Sequence, residues 1–284
     1  MHPASIRRAP PPEAGAVTTG PSGYLPAMGQ PELAYDEAGA GPAVVLIHGH
    51  PFSRSMWAPQ LAALRAGYRV IAPDLRGFGD SPVTPGTVTM RELAADVERL
   101  LDRIGVGPAA IVGLSMGGLV VMELAAAHPD RWWALGLVAT TAQPVTAAEQ
   151  ADRRARADLA EREGMPPIAQ GMNERLYGPD PDPGLVARIT AMMLATSPQG
   201  AAAAFRGRAL RPDYRATLRE LDVPAFVCVG DRDTWSDAAV TDELVASLRR
   251  PTRLVLPGVG HLPNLERPEL FNAALARFLD GARP

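Results

Sequence analysis

From about residue 43 onward, short runs of apolar, largely β-branched residues alternate with stretches in which apolar positions recur every three or four residues. The runs are Ala43–Ile47, Tyr68–Ala72, Ala109–Val112, Leu135–Ala139, Ala225–Val229 and Arg253–Leu256. They are too short for helices, lack strict apolar/polar alternation and stop at Gly, Pro or Asp, a pattern that predicts strands buried on both faces. Between two of them, Leu93, Val97, Leu100, Leu101 and Ile104 share one face of a helix, and Thr89 with Glu92 supplies a capping box at its start. Strand–helix alternation of this kind predicts an α/β protein with a mainly parallel central sheet flanked by helices. No internal repeat is visible.

The alternation stops between residues 143 and 211. That stretch reads as several helices separated at GMPP, GPDPDPG and SPQG. In the third of them Leu185, Ile189, Met192, Met193 and Thr196 fall on one face. It is expected to form a helical cap over the carboxyl edge of the sheet, where open parallel sheets bind ligands. Its methionines, Met192 among them, suit an adaptable apolar ceiling for a pocket, and they suit packing between cap helices equally well. The core is then residues 29–142 and 212–284. Residues 1–28, rich in Pro, Gly, Ala and Ser, are expected to be a disordered extension, with Met28 an alternative start and Val17–Thr19 an alternative edge strand.

Composition narrows the chemistry. The chain has 284 residues, 46% of them apolar, with a net charge of −3. That balance suggests neither a nucleic-acid nor a membrane partner, and no apolar run approaches a membrane span, so a cytoplasmic protein is expected. All 28 basic residues are arginine, which excludes Schiff-base chemistry and a P-loop lysine. The one cysteine, Cys228, leaves no intramolecular disulfide and no multi-cysteine metal site, and inside AFVCVG it reads as a core residue.

The strand AAIV runs into GLSMGG and then into a helical segment. This is G-x-S-x-G in the strand–turn–helix context that holds a serine proud of a sheet, with helix N–H groups aimed at it. Ser115 is the candidate nucleophile, and it needs a base and a group that orients the base. Of the five histidines, His2 lies in the N-terminal extension and His128 three helical turns beyond Ser115. His48, His50 and His261 remain. His261, in a glycine-rich loop directly after the last strand run, is the expected base. The acid should follow a strand between Ser115 and His261. VGDRDTWSD offers Asp231, Asp233 and Asp237, and Asp233 has the reach, while Asp231 is placed to cap the turn. Trp57 and Trp235 are candidate pocket walls.

The segments LIHGHP, APDLRGFGDSP, GLSMGG, VGDRD and GVGHLPNLERPELF, in this order over about residues 32–280, resemble the α/β-hydrolase superfamily. Within it the chain is similar to cap-bearing esterases and lactonases of the enol-lactonase type and to cofactor-free haloperoxidases and perhydrolases. The resemblance implies an oxyanion hole made by the backbone N–H groups of His50 and Met116. His48 would brace the loop, and the His50 ring would either face the substrate or serve only as a spacer. Asp74 and Arg76 would fasten loops near the site. Serine at position 115, where dehalogenases and epoxide hydrolases of the fold carry aspartate, argues against those two chemistries. The expected activity is cofactor-independent and metal-free hydrolysis of a carboxylic ester or lactone of a small-to-medium apolar metabolite. The same triad would serve perhydrolysis, acyl transfer or cyclisation, and a ligand receptor on this fold is a rival of another class.

Overall fold

Residues along the central strands alternate between two separate apolar layers. Val44, Leu46, Val70, Ala72, Ala110 and Val112 enter one, while Val45, Ile47, Ile71 and Ile111 enter the other. A strand points successive side chains to opposite faces, so an uninterrupted apolar run is what a sheet covered on both sides requires.

The computed structural model describes residues 7–8 and 31–283. Its eight strands are β1 (Arg7–Arg8), β2 (Tyr35–Ala38), β3 (Ala43–Ile47), β4 (Arg69–Pro73), β5 (Ala109–Leu114), β6 (Trp132–Val138), β7 (Pro224–Gly230) and β8 (Arg250–Leu256). They form one sheet in the order β1-β2-β4-β3-β5-β6-β7-β8. Strands β3 to β8 are mutually parallel, and β1 and β2 add antiparallel pairs at one edge. The chain leaves β3 for β4 on one side and returns to β5 on the other. This reversal opens a crevice at the carboxyl ends of β3 and β5, where Ile47 and Gly113 are paired.

Helices α1 (Ala58–Leu64), α2 (Met90–Arg103) and α3 (Met116–Ala127) belong to the first half of the core. The segment expected to form a cap, called the cap below, holds α4 (Ala147–Glu163), α5 (Pro166–Asn173), α6 (Pro183–Leu194) and α7 (Pro198–Arg208). The core resumes with α8 (Arg215–Glu220), α9 (Ala238–Ala246), α10 (Pro263–Glu266) and α11 (Pro268–Ala282). One layer packs α1 and α11 against the sheet through Leu61, Leu64, Phe271, Leu275 and Leu279. The opposite layer holds α2, α3, α8 and α9. The Thr89/Glu92 capping box forms, and a second one, Thr146/Glu149, starts α4. Asp182, Ser197 and Asp237 cap α6, α7 and α9 through their side chains. Each such cap is worth about 1 kcal/mol.

Two expectations change. β8 lies at the sheet edge with Arg250–Arg253 and Val255 exposed, so it is not buried on both faces. Within the expected N-terminal extension, Arg7 and Arg8 pair with Glu37 and Asp36 of β2. Val17–Thr19, Met28 and His2 lie outside the described residues.

Candidate active site

Ser115 joins β5 to α3 with φ 54° and ψ −112°. A non-glycine residue holds such a conformation only under constraint, at a cost of about 1–3 kcal/mol. The constraint is visible. Its N–H donates to the Val138 carbonyl at 2.8 Å, and its own carbonyl accepts the Thr140 hydroxyl at 2.8 Å. A Cβ on Gly113 would stand 2.2 Å from the Gly117 carbonyl oxygen, and one on Gly117 would stand 2.3 Å from that of Ile47. No larger residue fits either position. The turn delivers Ser115 to a cavity of about 430 Å³ that is also lined by His50, Trp235 and His261.

His261 Nδ1–H donates to Asp233 Oδ2 at 2.7 Å, and because an ionised carboxylate only accepts, the neutral ring keeps its lone pair on Nε2. Asp233 Oδ1 accepts the N–H groups of Trp235 at 2.8 Å and Ser236 at 3.2 Å. Burial opposes ionisation of Asp233, but His261 and these two N–H donors outweigh it and hold the carboxyl below its ordinary value. The Trp235 ring meets the imidazole edge-on at 4.8 Å between centroids. Asp231 ties the turn instead, accepting the Gly258 N–H at 2.7 Å.

One residue that the sequence did not flag holds the histidine loop. The Glu266 carboxylate accepts the N–H groups of Gly260 and Leu262, on either side of His261, and that of Gly178 from the cap. The His261 N–H itself donates to Leu176 of the cap at 2.7 Å. The histidine loop is therefore fastened to core and cap together.

The loop after β3 is held by His48, whose Nδ1–H donates to the Gly49 carbonyl at 2.8 Å while Nε2 accepts the Leu75 N–H at 2.9 Å. Burial pushes its basicity down, which suits a neutral bracing group. Neither the His50 nor the Met116 N–H has a backbone acceptor among the described residues, as expected for Met116 at the first position of α3. The His50 ring donates from Nε2 to Ala201 at 3.1 Å and lies 4.0 Å from the Phe205 ring, with Nδ1 buried and unpartnered. Burial and nearby Arg208 keep it neutral. Asp74 accepts from Arg54 and the Asp80 N–H, and Arg76 pairs twice with Asp96, so both fasten loops.

Two pocket expectations are corrected. Trp57 is wholly buried and packs toward Phe271, away from the cavity lining. Met192 also lies outside that lining, its sulfur accepting the Ser53 N–H at 3.4 Å, and Met172 takes the cavity position. The lining also carries a basic patch beside its apolar surface: Arg153, Arg156, Arg175, Arg208 and Arg211 face the cavity with only Glu149 and Asp152 as acids among the cap residues there. The available signal was α4 itself. Its sequence AAEQADRRARADLAERE is polar nearly all round, and Arg153 is one of its three buried residues, which is unusual for a helix whose job is only to pack.

The family profile described as "Alpha/beta hydrolase family" matches residues 44–274. A 3-oxoadipate enol-lactonase of Acinetobacter baylyi is 31% identical over 237 residues, 82% of this chain and 87% of that protein. A thermophilic esterase from Thermogutta terrifontis, solved with malate bound, superposes with a TM-score of 0.88 and 36% identity over 91% of this chain and 97% of its own. The enol-lactonase from Burkholderia xenovorans gives 0.83 and 31% identity, over 89% and 98%. With the profile covering most of the core and the whole cap, and with the sheet order and strained serine turn described above, the chain belongs to the alpha/beta hydrolase family.

Proposed function

We propose that the chain is a cofactor-independent serine hydrolase that cleaves a carboxylic ester or lactone through an acyl-enzyme. The observation that carries this reading is the buried Asp233–His261 pair at 2.7 Å, opening on the same cavity as a serine raised on a strained turn. Ser115 Oγ attacks the carbonyl carbon while His261 Nε2 takes its proton. The oxyanion is met by the N–H groups of His50 and Met116, a pair of donors of which each is worth about 10²- to 10³-fold in rate. The tetrahedral intermediate collapses, the C–O bond to the leaving group breaks, and His261 returns the proton to the departing oxygen. Water deprotonated by His261 then releases the acid and regenerates Ser115. Asp233 fixes the ring tautomer and stabilises the imidazolium throughout.

The kinship with an enol-lactonase and an esterase supports both open and cyclic esters as substrates. Intact mass after treatment with a fluorophosphonate probe tests the reading. Single stoichiometric labelling that disappears in Ser115→Ala is expected. Absence of labelling in folded wild-type protein would overturn it and bring the receptor reading forward.

A further inference from the structure

The cap side of the cavity holds more positive charge than it can neutralise. A single oxygen of Glu149, Oε1, accepts from both Arg153 and Arg211, each at 3.2 Å. Arg153 also donates to the Arg208 carbonyl at 2.8 Å, and Arg211 to that of Gln143 at 2.9 Å. Arg156 has its own partner, Asp152, at 2.8 Å. Arg208 is different. No carboxylate pairs with it among the described residues, and its Nε is buried without a hydrogen-bond partner.

Two guanidiniums thus share one carboxylate, and a third has none, at the wall of a site lined by Ser115 and His261. Burial, then the charges of Arg153, Arg211 and Arg156, push Arg208 well below its ordinary basicity. Burial and Arg211 bring Arg153 down to about 10. A fold gains nothing from crowding like charges around an orphaned donor, since uncompensated buried charge is destabilising. The arrangement becomes favourable once an anion enters. A guanidinium presents a planar fork that matches two coplanar oxygens, so a carboxylate completes it directly.

We infer that the substrate carries a free carboxylate, remote from its reacting ester or lactone bond, and that Arg208, flanked by Arg153 and Arg211, binds it. The inference rests on the serine-hydrolase reading for the identity of the reacting bond, and the orphaned guanidinium adds the charge of the rest of the molecule. The carboxylate also fixes orientation, because an ester anchored at the cap can present only one carbonyl to Ser115.

The test compares p-nitrophenyl hydrogen glutarate with the p-nitrophenyl ester of glutaric monoamide, its uncharged counterpart, after subtracting spontaneous hydrolysis. The anionic ester is expected to have the higher kcat/KM by about 10- to 100-fold, the worth of a charge-assisted pair. In Arg208→Gln that ratio should fall toward one, with Arg208→Lys between. Arg162→Gln, a change at an exposed arginine paired with Glu163, should keep the wild-type ratio. Calorimetry of glutarate on Ser115→Ala provides a readout independent of turnover. Saturable binding is expected, at least 10-fold weaker in Ser115→Ala/Arg208→Gln and stronger than that of inorganic phosphate. Equal hydrolysis of both esters with no glutarate binding would overturn the inference and leave the hydrolase reading intact. Glutarate binding without hydrolysis of either ester would support the anion site and count against the hydrolase reading. Phosphate bound more tightly than glutarate would overturn the carboxylate assignment.

Discussion

The two walls of the cavity are built on opposite principles. On the core side nearly every polar group has a partner. Asp233 is held by a ring nitrogen and two backbone N–H groups, Glu266 by three N–H groups, and His48 at both nitrogens. On the cap side one carboxylate serves two arginines and a third has none. Satisfied groups fix positions to within the tolerance that proton transfer needs. An unsatisfied group marks where something from outside completes the structure. Under the proposed function the satisfied groups perform the chemistry and the unsatisfied one chooses the molecule.

The sharpest way to break this division is at the base. His261→Ala should cost about 10⁴-fold or more in kcat/KM. His50→Ala, which removes a ring but keeps the N–H proposed to meet the oxyanion, should stay within about tenfold of wild type, well short of the loss of an oxyanion donor. Equal losses in two folded variants, measured on one ester, would mean that the His50 ring takes part in proton transfer.

Asp233→Asn should cost about 10³- to 10⁴-fold through the wrong imidazole tautomer, and it carries a pH signature. The carboxyl is held below its unfolded value, so its stabilising contribution is complete at neutral pH. It is lost as pH falls below about 4 toward the lower folded value. Urea unfolding should therefore show wild type more stable than Asp233→Asn at pH 7, with the gap closing in acid. A gap that widens in acid would contradict the assignment. Glu266→Ala, which frees the loop on both sides of His261, should lower kcat about tenfold with a smaller change in KM, as expected when a general base loses its placement. An unchanged kcat would show that the Leu176 contact alone holds the loop.

The smallest effect has the opposite sign. Arg208→Met removes a buried charge crowded by Arg153, Arg211 and Arg156 and opposed by Glu149 alone, so the free protein should melt about 1–4 °C higher. A lower Tm by calorimetry would show that Arg208 stabilises the cap and is not a vacant anion receptor.

How much of this could be read from the chain follows from how local each cause is. The runs at β3, β5 and β7 announce themselves because both sheet faces are covered. The serine turn and the loops bearing Asp233 and His261 are set by glycines and strand ends within a few residues. Strand β2, Tyr35–Ala38, is short and half polar and carries no such signal, and the exposed edge position of β8 depends on which strand stops the sheet. The arginine cluster was only half legible: the all-round polarity of α4 hinted at it, but not at which arginine lines the cavity. Arg153 faces the cavity because of how α4 is turned about its own axis against α7, and nothing within α4 specifies that rotation. Trp57 and Met192 went astray likewise, since side-chain type suggests a lining but only the packing of distant segments decides which side of a wall a residue occupies.

Hydrolysis has a consequence for the arginine-lined chamber. Breaking an uncharged ester bond creates an acid, so a substrate that enters with one negative charge leaves an acid fragment carrying either one charge or two. Where both carboxylates stay on one fragment, as on opening a lactone, the product keeps the group that the guanidiniums of the cap selected. Accumulating product then competes with fresh substrate. Such a catalyst runs steadily only where its product is promptly removed.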